Sequence, residues 1–327
     1  MRRSWRWRVY VLAWIVCAYL TIMAAISLMS DNLSDKNLDP RSINGIPFRG
    51  VWGWNGPNGG GRGARLQWCK ELKFVDPPGQ VTALASFPGS GNTWVRYLLQ
   101  QVAGYYTGSV YKDFALMKNG FPAESISNGS VIIVKTHEHG EQVRAPFSRS
   151  VLIIRDPFQS IMAEFNRQSG GHIGHALPDK YSKDNGRYWK SFVKNKAISW
   201  TNTNLDWLQF KGPLHILFYE DLLDNLPQEI RKILEFLDIE VDDQSFDCMM
   251  RHSDGIYKRR KRNLSFNPYT LDLKNLIDYC KKIVDAAVKA YFTNSANIDD
   301  FVSSLNLTRL SEVVTDSSQK PEVKFSR

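Results

Sequence analysis

The chain has 327 residues, 43% of them hydrophobic, enough apolar material to bury one large core once its two ends are set aside. Lys and Arg number 42 against 33 Asp and Glu, a formal net charge of +9. That balance limits the partner classes to anionic ones: a nucleotide, a sulfated or phosphorylated ligand, nucleic acid or a membrane surface.

Residues 9–29 are apolar, carry no charge and match the length of a bilayer-spanning helix. Arg2, Arg3, Arg6 and Arg8 precede the run while Asp31, Asp35 and Asp39 follow it. The positive-inside rule then leaves residues 1–8 in the cytosol and the rest in a lumen. The run exceeds the apolar core of a cleaved secretory signal and ends without a small-residue cleavage pattern, so it predicts a single-pass type II anchor held by membrane lipid. Asn-x-Ser/Thr acceptors at Asn32, Asn128, Asn263 and Asn306 fit a lumenal glycoprotein. Cys69, Cys248 and Cys280 would lie on that side, where one pair and one leftover thiol are the natural count; the expected pair is Cys248 with Cys280. Cys17 falls inside the apolar run.

Residues 30–79 are rich in glycine, asparagine and proline without a sustained period, and read as a stem. From residue 80 to 292 short β-branched runs alternate with helical periodicity. Strands are predicted at 81–87, 131–135, 151–155 and 214–219, and helices at 93–103, 158–168, 188–207, 228–237 and 273–292. That alternation predicts an α/β fold with a central parallel sheet between helical layers. Residues 169–185 read as a long surface loop, and the polar stretch 293–327 as a disordered tail.

The first strand runs into Ser86-Phe87-Pro88-Gly89-Ser90-Gly91-Asn92-Thr93-Trp94 and then a helix. A helix N-terminus presents unpaired N–H groups to an anion; Gly89 and Gly91 let the backbone come close, while Ser90, Asn92 and Thr93 add donors. Asn92 stands where a Walker A loop has its lysine, which argues against an ATP or GTP hydrolase. The second strand ends in Lys135-Thr136-His137, an imidazole suited to general base chemistry beside a cation. The third ends in Arg155-Asp156-Pro157, with a guanidinium fitted to a phosphate and a proline fitted to a helix's first position. The fourth ends in Tyr219-Glu220-Asp221, and a basic run, Lys258-Arg259-Arg260-Lys261-Arg262, follows later. His139, His172 and His175 do not follow a metal-ligand spacing, so no metal is expected.

These four segments, in this order, resemble PAPS-dependent sulfotransferases, and within that superfamily the sulfotransferase module of the WSC-domain-containing (WSCD) family, over residues 81–292. Four cysteines leave no room for the cysteine-rich WSC module itself. The resemblance implies a P-loop-NTPase-like three-layer fold and 3′-phosphoadenylyl sulfate (PAPS) as co-substrate. It implies that Gly89 to Trp94 hold the 5′-phosphosulfate, that His137 is the base with Lys135 beside it, and that Arg155, Ser160, Lys258 and Arg259 hold the 3′-phosphate. Trp94 and Tyr219 would contact adenine. The acceptor would be a hydroxyl of a carbohydrate, sialylated glycans included, in the Golgi lumen; the anchor takes the domain away from nucleic acid. Two positions depart from the pattern: Gly89 stands where relatives carry a lysine, and Ala163 where they carry a serine, with Ser160 the nearest replacement. Lys135, Arg96 or a basic residue of the later run is left to replace that lysine. The same departures leave open a membrane protein that binds PAPS or another nucleotide without transfer.

Overall fold

A computed structural model describes residues 66–259, 262, 264–294 and 297–305. The anchor run 9–29, most of the stem, Asn32, Asn263, Asn306 and the end of the tail lie outside the described residues, whereas Asn128 is described and exposed. Among the described residues no helix is long and apolar enough to cross a membrane.

Five strands form one sheet: β1 (Thr82–Ser86), β2 (Gly108–Ser109), β3 (Val134–Thr136), β4 (Arg149–Ile154) and β5 (Leu214–Phe218), in the spatial order β2-β3-β1-β4-β5. Every pairing is parallel, with Ala85 opposite Thr136 and Leu152, and Ile154 opposite Phe218. The side-chain period of two sends alternate residues to opposite faces. Ala83 and Ala85 join the core that includes Leu152, Trp200 and Ile277, while Leu84 joins the core that includes Leu98, Ile153 and Ile233. Both faces are therefore covered, as near-continuous apolar strands require.

The long helices follow the predicted periods: α1 (Asn92–Ala103), α4 (Pro157–Gly170), α6 (Arg187–Leu208), α8 (Leu226–Phe236) and α10 (Leu271–Asn294). Shorter ones are α2 (Phe114–Lys118), α3 (Glu141–Arg144), α5 (Asp179–Ser182), α7 (Tyr219–Asp224), α9 (Asp243–Arg251) and α11 (Ile298–Ser304). Asp156 caps α4, accepting from Phe158 and Gln159 N–H, with Pro157 in the first turn. The predicted loop 169–185 is mostly exposed, as expected, though not without structure. It contains α5, and Ala176 and Tyr181 are buried, the tyrosine packing on Phe165 and Trp189.

The folded unit extends past both predicted edges. Residues 66–79 dock on α1 and its flanks: Cys69 N–H donates to Gln101, Lys73 bridges to Tyr105, and Val75 N–H donates to the Ser130 carbonyl. At the other end Ile298 is buried and Phe301, Val302 and Leu305 pack on the core.

The expected Cys248–Cys280 pairing is not formed. Cys248, on α9, is bonded to Cys69 with a Cα–Cα separation of 5.8 Å, and Cys280 is a free thiol buried on α10. Spacing along the chain could not reveal this, because the bond joins segments 179 residues apart that only the fold brings together. Peptide mapping without reductant should recover a linked Cys69–Cys248 pair and an unlinked Cys280. Cys248→Ser should lower unfolding stability by about 2–4 kcal/mol, read by urea denaturation.

Candidate active site

The parallel register brings the carboxyl ends of β3, β1, β4 and β5 into one row, and ligands of open α/β sheets bind beyond such ends. His137, Phe87, Arg155 and Tyr219 are the next residues on those four strands. Phe87 turns into the core, while the other three open onto a cleft of ≈ 1580 Å³ lined by Gly89, Gly91, Asn92, Thr93, Trp94, Lys135, His137, Arg155, Tyr219 and Arg259 among others.

The first loop is backbone built for close approach. Gly89 and Gly91 have φ of +87° and +95°, where other residues are strained. A Cβ on Gly89 would lie 2.4 Å from the Ser160 carbonyl oxygen, and one on Gly91 2.4 Å from the Tyr219 ring. No side chain caps α1; the Gly91 carbonyl takes the Trp94 and Val95 N–H groups, which leaves the first two N–H groups of the helix for another acceptor. Asn92 ties the loop to β1, donating to the Leu84 carbonyl at 2.8 Å and the Ser86 hydroxyl at 3.2 Å.

His137 Nδ1 lies 2.8 Å from the Ser86 carbonyl oxygen and 3.2 Å from its hydroxyl. A carbonyl only accepts, so Nδ1 carries the proton and Nε2 keeps its lone pair. Burial, followed by the nearby Lys135 charge, pushes the imidazole down to about 3. The ring is therefore neutral at working pH. Tyr111 stacks on it and accepts its backbone N–H at 2.9 Å. Lys135 is nearly buried, 3.5 Å from Glu124, and burial lowers its pKa.

Arg155 Nη1 donates to the Gly89 carbonyl at 2.8 Å, and its guanidinium lies 4.2 Å from the Tyr219 ring centroid. Tyr219 meets Trp94 edge to face at 5.9 Å, and Lys258 Nζ sits 5.0 Å from the Trp94 ring centroid while pairing with Asp254. Arg259 donates to the Ala163, Gly171 and His172 carbonyls. Buried polar atoms with no hydrogen-bond partner include Ser90 Oγ, Asn92 Oδ1, Arg155 Nε and Arg259 Nε. Leaving such atoms unpaired is costly; the two guanidinium Nε atoms are donors on residues that line the cleft, and with the narrow glycine cradle they fit an anionic ligand such as a phosphorylated nucleoside.

The family model of the sulfotransferase domain matches residues 81–275. A WSCD family member of Aedes aegypti is 46% identical over 254 residues, covering 70% of this chain and 80% of its own, and one of Drosophila melanogaster is 45% identical over 246 residues, covering 67% and 78%. The chain belongs to the WSCD family of sulfotransferases. Human sulfotransferase 1C2 is 22% identical over 233 residues, covering 64% of this chain and 75% of its own. The crystal structure of mouse sulfotransferase SULT7A1 complexed with PAP superposes with a TM-score of 0.41 at 19% identity, covering 72% of this chain and 89% of that one. The protein carries a sulfotransferase domain built on a central parallel sheet.

Not every predicted site residue joins the cleft of this sulfotransferase. Ser160 is fully buried, and its hydroxyl turns back onto the Pro157 carbonyl of its own helix. Ala163 and Glu164 line the cleft instead. Arg96, one replacement for the missing loop lysine, is also fully buried: it pairs with Glu124 at 2.7 Å, donates to Thr107 and lies over Phe121. It braces α1 and does not line the cleft. Of the described His, Cys, Asp and Glu residues, Cys69, Cys248 and His252 have converging ligand atoms, and the two sulfurs are already bonded to each other.

Arg167 and Asp113 also line the cleft without any sequence-based assignment, and His172 does so without being a metal ligand candidate by spacing. Arg167 is clasped by Glu164, and His172 Nε2 lies 2.7 Å from Asp113 Oδ2, while Asp113 also caps α2. The i,i+3 spacing of Glu164 and Arg167 was visible, but the burial of Glu164 in an apolar stripe was not.

Gly89→Lys, which restores the relatives' residue, should destabilise the fold by about 2–4 kcal/mol, because positive φ and overpacking both oppose it; thermal denaturation reads this. The imidazole of His137 should remain neutral by NMR at pH 5. Between the ordinary 6.5 and about 3 the unfolded chain binds a proton there that the folded chain does not. Stability should thus fall with falling pH across that window, and less steeply in His137→Gln.

Proposed function

We propose that this protein is a Golgi-type, single-pass type II membrane sulfotransferase that moves a sulfuryl group from PAPS to a hydroxyl of a carbohydrate acceptor, sialylated glycans being among the candidates. The observation that carries this reading is the His137–Ser86 hydrogen bond, which leaves Nε2 as a base within a cleft otherwise rich in cations. PAPS supplies a sulfuryl group already activated by its link to phosphate. Gly89, Ser90, Gly91, Asn92 and Thr93, with the N-terminus of α1, hold its 5′ end. Arg155, Arg259 and Lys258 take its 3′-phosphate, and Trp94 and Tyr219 flank adenine, their ring faces suited to it. His137 Nε2 accepts the proton of the acceptor hydroxyl, and Lys135 adds positive charge beside it.

Three observations support the lumenal membrane setting: the uncharged run 9–29, the Cys69–Cys248 disulfide, which oxidising compartments favour, and the exposed acceptor Asn128. The cleft is also lined by Tyr111, Phe114, Phe158, Phe266 and Tyr269, aromatic faces that suit sugar rings. A second reading, nucleotide binding without transfer, is favoured only by Gly89, where no side chain fits.

Calorimetric titration of the detergent-solubilised protein should show tight binding of adenosine 3′,5′-bisphosphate (PAP), weakened at least tenfold in Arg155→Ala, about 1.4 kcal/mol. His137→Ala should abolish transfer of radiolabelled sulfate to a mixed glycan panel while PAP still binds. Absence of PAP binding would sink the donor assignment; PAP binding with no transfer by the unaltered protein would favour the second reading.

A further inference from the structure

Sulfuryl transfer breaks the bond from sulfur to the bridging oxygen and leaves its electron pair on the phosphate. Positive charge held against that reacting group is worth a large part of the rate. The first loop cannot supply it, since a side chain on Gly89 would collide with the Ser160 carbonyl and with Glu164 N. Arg96 is held by Glu124 away from the cleft, and in the reading above Arg155, Lys258 and Arg259 serve the 3′-phosphate while Lys135 stands beside the acceptor oxygen.

We propose that Arg167 is the catalytic cation that faces the transferring sulfuryl group, and that Glu164 is its positioning residue. The proposal rests on the sulfotransferase reading above. The α4 turn that excludes a side chain at Gly89 is the turn that carries Glu164, whose backbone N would be 2.9 Å from a Cβ there. Glu164 is buried, its side chain 1% exposed, and accepts from Arg167 Nε at 2.6 Å and Nη2 at 2.8 Å. Gln168 donates to the same carboxylate at 2.7 Å. This grip fixes the guanidinium plane and leaves Nη1 outside it, on a side chain that is 41% exposed and lines the cleft with His137 and Lys135. Arg167 is also near enough to the imidazole for its charge to contribute to the depressed His137 pKa. In the step, the acceptor oxygen bonds to sulfur and His137 Nε2 takes its proton. The electron pair of the broken S–O bond departs on the phosphate of PAP, and Arg167 offsets the charge on the oxygens in between.

The test uses PAP and orthovanadate, an oxyanion that can take the sulfuryl position, and so needs no identified acceptor. In calorimetry Arg167→Gln should bind PAP within about threefold of the unaltered protein, yet the PAP-loaded variant should lose roughly 10²-fold in vanadate affinity. Arg167→Lys should recover part of the loss, and Glu164→Gln should show a smaller one. By NMR, the His137 imidazole should titrate at higher pH in Arg167→Gln without any ligand. Equal vanadate affinity in the two proteins, or none in either, overturns the proposal, as does an unmoved His137 titration. Loss of PAP and vanadate affinity together makes Arg167 a donor-binding residue and also overturns it. Failure of the unaltered protein to bind PAP strikes the donor reading itself.

Discussion

The contact between the first loop and α4 is the constraint on which the site depends. At Gly89 the loop backbone comes so close to the Ser160–Glu164 turn that even a methyl group does not fit. That approach lets Arg155 reach the Gly89 carbonyl and lets the Tyr219 ring close over Gly91. It also turns Ser160 inward and brings Ala163, Glu164 and Arg167 to the cleft. The absence of a loop lysine is therefore no isolated substitution: the helix occupies the space the lysine would need.

Around this contact, four buried tryptophans each donate an indole N–H to a carbonyl of a segment that frames the cleft. Trp94 bonds Ser253, Trp189 bonds Pro268, Trp200 bonds Arg155 and Trp207 bonds Glu138. A large ring anchored in the core gives each bond a fixed origin, so the loops are held by packing and not by their own short-range structure. The base is aimed in the same way. Ser86 holds His137 from below and Tyr111 stacks on it, so its tautomer and orientation are set before any ligand arrives.

Two buried carboxylates distribute the positive charge. Glu124 gathers Arg96 and Lys135, and Glu164 gathers Arg167 with Lys196 at 3.8 Å. Uncompensated, such clustered cations would repel one another in poorly solvated surroundings; each carboxylate offsets part of that cost and fixes where its cations sit.

Much of this was legible along the chain. The five long helices and the strands at 81–87, 151–155 and 214–219 follow from period and β-branching, because those patterns are local and strong. The row of His137, Arg155 and Tyr219, with the glycine loop after β1, was legible too, since each stands at the end of a strand and parallel strands must end on the same edge. Other features depend on what packs against what, which no window of sequence contains. The two-residue β2 has too little pattern to read. The Cys69–Cys248 bond joins distant segments, residues 66–79 fold only because α1 offers them a surface, and Ser160 and Arg96 are polar types that packing buried. The residues of the reactive strand ends were thus set by local sequence; which of them face the cleft was decided by the close approach of helix to loop.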